Sequence, residues 1–160
     1  MTQAPVPAIL FVCLGNICRS PLAEAAFRRE AERAGLEVEV DSAGTGDWHV
    51  GQPPDSRARA VALRHGIDIS AYRARRVTAA DFDRFTHILA LDPENLRDLR
   101  AIAPKGAAAR LGLLLDLVPG RRGQGVRDPY FGDEAGFEAS WRDVTEAARA
   151  LVARLRQDRV

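Results

Sequence analysis

The sequence predicts an α/β fold in which helices flank a parallel sheet. Two observations support this prediction. Segments typical of strands and of helices alternate along the chain, and the first strand, residues 8–12, is a continuous apolar run of the kind that is buried on both faces. A length of 160 residues suits one domain with a hydrophobic core. We therefore expect a single domain over residues 1–160.

The first half of the chain predicts two strands and two helices in alternation. Ser20 and Pro21 fit the cap and the first position of a helix, and Gly35 fits its end. Alternating apolar residues then predict a second strand, and a Gly- and Pro-rich loop separates it from the next helix. The predicted segments are a helix from Pro21 to Gly35, a strand at 37–41, a loop at 42–54 and a helix at 55–65.

The second half of the chain continues the same alternation and ends in a long amphipathic helix. Phe137, Trp141 and Val144 recur at spacings of three and four residues, so Trp141 is assigned to the core. Ligands of a parallel sheet bind where the strands end, which is where the sequence places Cys13 and Asp92. The predicted segments are a short helix at 81–85, a strand at 87–91, a helix at 94–102, a strand at 111–117 and a helix at 134–156.

Composition excludes several classes of protein. The net charge of +1 gives no basic field for nucleic acid, and no apolar run approaches the length of a membrane span. The only two cysteines lie in one short loop, so they do not form a secreted disulfide framework. Residues 1–7 lack the charged region of a signal peptide. We expect a cytoplasmic protein with neither nucleic-acid nor membrane partners.

The most informative segment is the turn between the first strand and the first helix. Cys13 and Arg19 are separated by five residues, whose backbone amides can curl around a tetrahedral oxyanion. The helix N-terminus and the guanidinium favour the same anion, and they also favour the thiolate form of Cys13. The segment therefore predicts a site that binds phosphate and attacks it. The predicted phosphate-binding residues are Leu14, Gly15, Asn16, Ile17, Cys18, Arg19 and Ser20.

Three segments resemble the low-molecular-weight protein tyrosine phosphatase family. They are the stretch 13–20, the stretch 41–45 and Asp128-Pro129-Tyr130, and the likeness covers almost the whole chain. The resemblance implies a flavodoxin-like, three-layer domain with a four-stranded parallel sheet. It also implies hydrolysis of phosphotyrosine in proteins or peptides, without a metal or another cofactor.

The same resemblance implies a role for each residue of the site. Cys13 is the nucleophile, Arg19 and the loop amides bind phosphate, and Asp128 is the general acid and then the general base. Without the family, Asp128 before a proline fits an ordinary turn. Trp48 and Tyr130 are implied to be the aromatic walls of a slot for the substrate phenol.

A supporting network is implied as well. Asn16, placed where a left-handed backbone suits the turn, is expected to bond Ser42 and His65. Ser20 is expected to bond the thiolate. On sequence alone, His65 also fits a residue at a helix C-terminus, and Ser42 fits a turn hydroxyl.

Other functions remain open at this point. In the family, threonine at the place of Ile17 goes with arginine phosphatases and isoleucine with tyrosine phosphatases, which favours phosphotyrosine over phosphoarginine. Arsenate reduction would need an external thiol, since no cysteine follows Cys18. A silent phosphotyrosine-binding module would require neither Cys13 nor Asp128.

The basic run at 73–76 fits a solvated face or the steering of acidic phosphopeptides. A further hypothesis is that Cys13 and Cys18 form a disulfide that protects Cys13 from irreversible oxidation. The alternative is that Cys18 is only a small residue that fills the turn.

Overall fold

Four strands form one parallel sheet in the computed structural model of this chain, which describes residues 6–158. The strand order is β2-β1-β3-β4, and every neighbouring pair is parallel. This is the order of the first four strands of a flavodoxin-like sheet, so the predicted fold class is confirmed. The strands are β1 (Ala8–Cys13), β2 (Glu39–Gly44), β3 (His87–Ala90) and β4 (Arg110–Leu113).

β1 is buried along its whole length because helices cover both faces of the sheet. Successive side chains of a strand point to opposite faces. Ile9 and Phe11 accordingly belong to one hydrophobic cluster, and Leu10 and Val12 belong to another. This arrangement explains the uninterrupted apolar run, since a polar side chain would reach solvent on neither face.

The helices divide between the two faces of the sheet. α1, α2 and α5 contribute to the cluster that contains Phe11, where Phe27 of α1 meets the Phe11 ring edge-on with centroids 5.7 Å apart. α3 and α4 contribute Phe82 and Leu99 to the cluster on the other face. The helices are α1 (Arg19–Arg33), α2 (Ser56–Arg64), α3 (Asp81–Arg84), α4 (Pro93–Ile102) and α5 (Glu134–Asp158).

The apolar stripe of α5 packs as its spacing predicts. Phe137, Trp141 and Val144 are each 2% exposed or less, and they lie in the cluster shared with α1 and α2. The assignment of Trp141 to the core is confirmed. α5 therefore covers the same face of the sheet as α1. The α1 helix follows residues 13–18, which we call the nucleophile loop after the role that the sequence predicts for Cys13.

Two strand boundaries differ from the prediction. β2 extends through residues 42–44, which were predicted to be loop, because Ser42 and Ala43 pair in register with Phe11 and Val12 of β1. The predicted strand at 111–117 ends at Leu113 and continues as a 3₁₀ turn over Leu114–Leu117. An apolar run that is buried in either conformation does not distinguish a strand from a helical turn.

The start of α1 also differs from the prediction. The helix begins at Arg19, and no side chain caps it. The Ser20 hydroxyl instead contacts Cys13 Sγ and accepts from the side-chain Nδ2 of Asn16. The predicted role of Ser20 as a helix cap is therefore wrong, and the alternative role beside Cys13 is the one that its contacts fit.

Residues 1–5 lie outside the described part of the chain, and most of the segment judged not to be a signal peptide falls there. Within residues 6–158, none of the helices combines the length and the apolar character that crossing a lipid bilayer requires.

Candidate active site

Cys13 is the last residue of β1 and lies at the carboxyl end of the sheet, only 3% exposed. The chain then turns sharply through residues 14–18 and enters α1 at Arg19. Asn16 makes this turn possible by adopting φ 59°, the only positive φ of a non-glycine residue within 6–158. The turn therefore places the sulfur of Cys13 next to the positive end of the α1 dipole.

The backbone amides of residues 14–18 are free to receive an anion. Within the described residues, none of these five amides donates a hydrogen bond to a protein acceptor. The loop is held from behind instead, where the amide of Gly46 donates to the Leu14 carbonyl at 2.9 Å. Gly44 lies so close that an added Cβ would stand 2.6 Å from the same carbonyl oxygen, so this position requires glycine.

Arg19 is fixed by two acceptors at the edge of the site. Its Nη1 donates to Asp92 Oδ2 at 2.6 Å and to the Val126 carbonyl at 3.1 Å, and the side chain is 4% exposed. Burial opposes the charged guanidinium, but the neighbouring Cys13 and the bonded Asp92 outweigh it and raise the pKa of Arg19. Arg19 therefore stays cationic and holds one orientation.

Asp92 has two roles in the structure. Its Oδ1 accepts from the amide of Asn95 at 2.7 Å and caps α4, as the sequence suggests, while its Oδ2 holds Arg19. Since Asp92 follows β3 and Arg19 follows β1, the pair connects the ends of two neighbouring strands. In the sequence, the contact of Asp92 with Arg19 was indicated only by the position of Asp92, a predicted helix cap that directly follows a predicted strand.

Asp128 lies in the loop before α5 and lines one cavity together with Cys13 and Arg19. Its Oδ2 lies 3.6 Å from Arg19 Nη2, its Oδ1 accepts from the amide of Tyr130 at 3.1 Å, and its side chain is 45% exposed. The cavity has a volume of about 190 Å³ and opens toward solvent. It is lined by Cys13, Leu14, Gly15, Ile17, Cys18, Arg19, Trp48, His49, Asp128, Tyr130 and Phe131.

The structure thus brings together most of the residues that the sequence singles out. Trp48 and Tyr130 line the cavity at its mouth, where they are 67% and 37% exposed. His49 lines it too and was missed, because a histidine in a polar loop carries no periodic signal. The side chains of Asn16, Ser20 and Ser42 do not line the cavity and instead bond one another.

A hydrogen-bonded chain supports the loop from behind. Cys13 Sγ and Ser20 Oγ are 3.0 Å apart, and the side-chain Nδ2 of Asn16 donates to Ser20 Oγ at 2.8 Å and to Ser42 Oγ at 3.0 Å. Ser42 in turn donates to Glu24 Oε1 at 2.7 Å. The described contacts therefore run from the sulfur to a buried carboxylate on α1, a residue that the sequence analysis missed.

His65 does not belong to this chain of hydrogen bonds, so its predicted contact with Asn16 is wrong. His65 caps the C-terminus of α2, bonds Glu138 at 3.1 Å and stacks on the Trp141 ring with centroids 5.0 Å apart. The alternative reading of His65 as a residue at a helix C-terminus is the correct one. The side-chain Oδ1 of Asn16 instead accepts from the backbone amide of Arg75 at 3.0 Å.

The basic run at 73–76 is divided between two environments, because Arg73 and Arg76 are exposed, as a solvated face predicts, while Arg75 is half-buried. Arg75 is held by Asp41 at 3.0 Å and by Asp81 at 3.0 Å, and its amide bonds Asn16. Arg76 is exposed and lies 3.9 Å from Asp47. Arg75 therefore joins the loop support to the end of the sheet.

Glu24 predicts a distinctive dependence of stability on pH. Burial raises the pKa of Glu24 above its ordinary value of 4.5, against the opposing hydrogen bonds from Ser42 and Arg28. At pH values between 4.5 and the raised pKa, Glu24 is protonated in the folded state but ionised in the unfolded chain. The contribution of Glu24 to the free energy of unfolding therefore falls as pH rises through this range.

Glu24→Gln removes this titration. We expect the stability of the wild-type protein relative to Glu24→Gln to decline as pH rises above 4.5, measured by urea unfolding at matched ionic strength. Parallel stability curves for the two proteins would contradict the prediction.

Both cysteines are free and buried. Burial, with help from Asp55, raises the pKa of the Cys18 thiol well above its ordinary value, so Cys18 is a thiol at neutral pH. Cys18 lines the cavity beside Cys13. The disulfide between them stays a prediction.

Fold and site together define a class of protein. A cysteine and an arginine at the two ends of a loop whose backbone amides are unpaired within residues 6–158, at the carboxyl edge of a parallel sheet, form an arrangement typical of a phosphatase. The family model described as low molecular weight phosphotyrosine protein phosphatase matches residues 8–160. The chain belongs to this family, whose members are phosphoric monoester hydrolases.

Relatives and solved structures agree with this placement. The low molecular weight phosphotyrosine protein phosphatase of Schizosaccharomyces pombe is 46% identical over 132 residues, which cover 81% of this chain and 84% of the relative. The crystal structure of YfkJ from Bacillus subtilis matches with a TM-score of 0.91 at 37% identity, covering 99% of this chain and all of that one. A protein tyrosine phosphatase from Entamoeba histolytica with Hepes in the active site has a TM-score of 0.90 at 34% identity, covering 96% and 99%.

Proposed function

We propose that this protein hydrolyses phosphotyrosine in proteins or peptides in two steps through a phosphocysteine intermediate. The observation that carries the proposal is that Cys13, Arg19 and Asp128 line one cavity, although Asp128 lies 115 positions beyond Cys13 in the chain (128 − 13 = 115). A nucleophile, an anion-binding fork and an acid are the groups that transfer of a phosphoryl group requires.

In the first step, the Cys13 thiolate attacks phosphorus and forms an S–P bond. The bond between phosphorus and the phenolic oxygen breaks, and Asp128 donates its proton to the departing phenolate. Arg19 and the free amides of residues 14–18 hold the nonbridging oxygens as charge redistributes. The fixed orientation of Arg19 toward Asp92 supports this role, since a preoriented fork need not reorganise during the reaction.

In the second step, water attacks the phosphocysteine. Asp128, now a carboxylate, takes a proton from the water while the S–P bond breaks and phosphate forms. Cys13 leaves as a thiolate. The hydroxyl of Ser20, 3.0 Å from the sulfur, stabilises it by a hydrogen bond.

The walls of the cavity favour an aromatic phosphate. Trp48 and Tyr130 present aromatic surface at the mouth, and Ile17 presents apolar surface within the loop itself. Contact with such surface stabilises the binding of an aryl ring, while the short side chain of phosphoserine does not reach this surface. Hepes, a sulfonate, occupies the active site of the Entamoeba relative, which supports oxyanion binding in the corresponding cavity here.

Peptides of one sequence carrying phosphotyrosine, phosphoserine or phosphoarginine would test the substrate class. We expect phosphotyrosine to be hydrolysed with the highest kcat/KM, measured by phosphate release under reducing conditions. Trp48→Ala should lower the ratio of kcat/KM for the phosphotyrosine peptide to kcat/KM for the phosphoserine peptide, because it removes one aromatic wall. Preferred hydrolysis of phosphoarginine would overturn the choice of substrate, although not the chemistry.

Asp128→Asn tests the chemistry itself. We expect this variant to lower kcat/KM by about 10²- to 10⁴-fold for aryl phosphates whose phenols are weak acids, and by less for those whose phenols are strong acids. A strongly acidic phenol leaves without a donated proton, so the contrast isolates proton transfer. Equal losses across the series would contradict the role of Asp128 as general acid.

A further inference from the structure

Arg57, in the first turn of α2, contacts the loop that carries Asp128. Its Nη2 donates to the Tyr130 carbonyl at 2.8 Å, and its Nη1 donates to the Gly132 carbonyl at 3.1 Å. Two backbone acceptors on one loop are thus held by one guanidinium. The contact joins α2 to a segment 73 to 75 residues away in the chain.

The guanidinium of Arg57 is itself fixed. Asp55 accepts from its Nε and from its Nη2, both at 3.0 Å, and also caps α2 by accepting from the Arg57 amide at 2.9 Å. The guanidinium carbon also lies 4.8 Å from the Phe137 ring centroid and 5.7 Å from that of Tyr130. A planar fork with this many directed contacts has one orientation, which a lysine ammonium would not reproduce.

The same short segment contacts the nucleophile loop. The amide of Asp55 donates to the Ile17 carbonyl at 2.8 Å. Residues 55–57 therefore bond the Ile17 end of the nucleophile loop on one side and the Asp128 loop on the other. We call this arrangement the Asp55–Arg57 bracket.

Asp128 depends on such a bracket because its own side chain is weakly held. Its carboxylate accepts from the Tyr130 amide within the same loop, and its distance of 3.6 Å to Arg19 exceeds a direct hydrogen bond. The position of the carboxyl group therefore follows the backbone of residues 128–132, and Arg57 holds that backbone at two carbonyls.

We propose that Arg57 is a positioning residue that fixes the Asp128 loop relative to Cys13 and thereby sets the efficiency of proton transfer to the leaving group. This inference rests on the proposed role of Asp128 as general acid. A small misplacement of an acid lowers the rate most where the leaving group needs its proton most. The role is thus distinguishable from a general contribution to folding.

The test measures kcat/KM for a series of aryl phosphates with phenols of different acidity. We expect Arg57→Ala to lower kcat/KM by about 10- to 100-fold for the least acidic phenols and by less than about 3-fold for the most acidic. Arg57→Lys should resemble Arg57→Ala. Activity of Arg57→Lys at the wild-type level throughout the series would overturn the proposal, as would an equal loss for all substrates in Arg57→Ala.

Matched variants keep the test decisive. Arg59→Ala removes an arginine of the same helix that bonds only the Pro54 carbonyl among its described contacts, and it should leave the series unchanged. Asp55→Asn preserves a side chain that can cap α2 but weakens the hydrogen bonds that orient Arg57. We expect it to lower kcat/KM most for the least acidic phenols, by less than Arg57→Ala does, and it provides a test even if Arg57→Ala fails to fold.

Asp128→Asn, measured on the same substrates, separates the two proposals. If Asp128→Asn shows no dependence on the leaving group, the proposed function fails at its general acid. If Asp128→Asn shows that dependence and neither Arg57→Ala nor Asp55→Asn does, only the inference about Arg57 fails.

Discussion

Cys13→Ser is expected to lower the hydrolysis of para-nitrophenyl phosphate by at least about 10⁴-fold, because removal of a nucleophile removes the path that the other groups serve. The replacement preserves the size of the side chain and its contact with Ser20, 3.0 Å away in the wild-type protein. The serine hydroxyl stays protonated at neutral pH and attacks phosphorus poorly. The measurement is the release of para-nitrophenol under reducing conditions with a chelator present.

Cys18→Ser provides the matched control for this prediction. Cys18 lines the same cavity and is buried, with its thiol pKa raised, so its sulfur is not a nucleophile at neutral pH. We expect Cys18→Ser to retain most of the wild-type rate. Turnover by Cys13→Ser near the wild-type level would contradict the phosphocysteine path, and an inactive reduced wild-type protein would indicate a phosphotyrosine-binding module.

The nucleophile loop could be predicted from the sequence because its parts are local. The apolar strand, the spacing of Cys13 and Arg19 and the helix start lie within 15 residues, and backbone geometry alone brings them together. Asn16 was expected at a position that tolerates a left-handed backbone, and the structure gives it φ 59°. Asp128 is different, because only the complete fold places it in the cavity, and the resemblance supplied that fold.

The resemblance implied part of the support behind the loop, namely the contacts of Asn16 with Ser42 and of Ser20 with Cys13. The places of Glu24 and His65 could not be predicted, because they depend on how separate elements pack. Glu24 is four residues before Arg28 on α1 and reads as an ordinary surface pair, yet it is 5% exposed and bonds Ser42. His65 was misplaced for the same reason. Its helix directs it toward Trp141 and Glu138 of α5, and neither of these residues bonds Asn16 or its partners.

Arg19→Lys is expected to reduce kcat on the order of 10²- to 10³-fold, the loss that follows removal of one preorganised donor to the reacting group. Lysine keeps the positive charge but lacks the fork, so it cannot hold Asp92, the Val126 carbonyl and a phosphate oxygen at once. We also expect weaker competitive inhibition by inorganic phosphate. The measurements are kcat with para-nitrophenyl phosphate and the inhibition constant of phosphate.

Two further variants show whether this loss comes from the fork rather than from the charge or from α1 itself. Arg33→Lys changes an exposed arginine in the last turn of the same helix and should alter neither quantity. Asp92→Asn keeps a side chain that can cap α4 but removes the charge that orients Arg19, so it should lie between the wild-type protein and Arg19→Lys. Unchanged kcat and phosphate inhibition in Arg19→Lys would mean that the amides of residues 14–18 hold the anion without the fork, because they are the other donors that the loop offers.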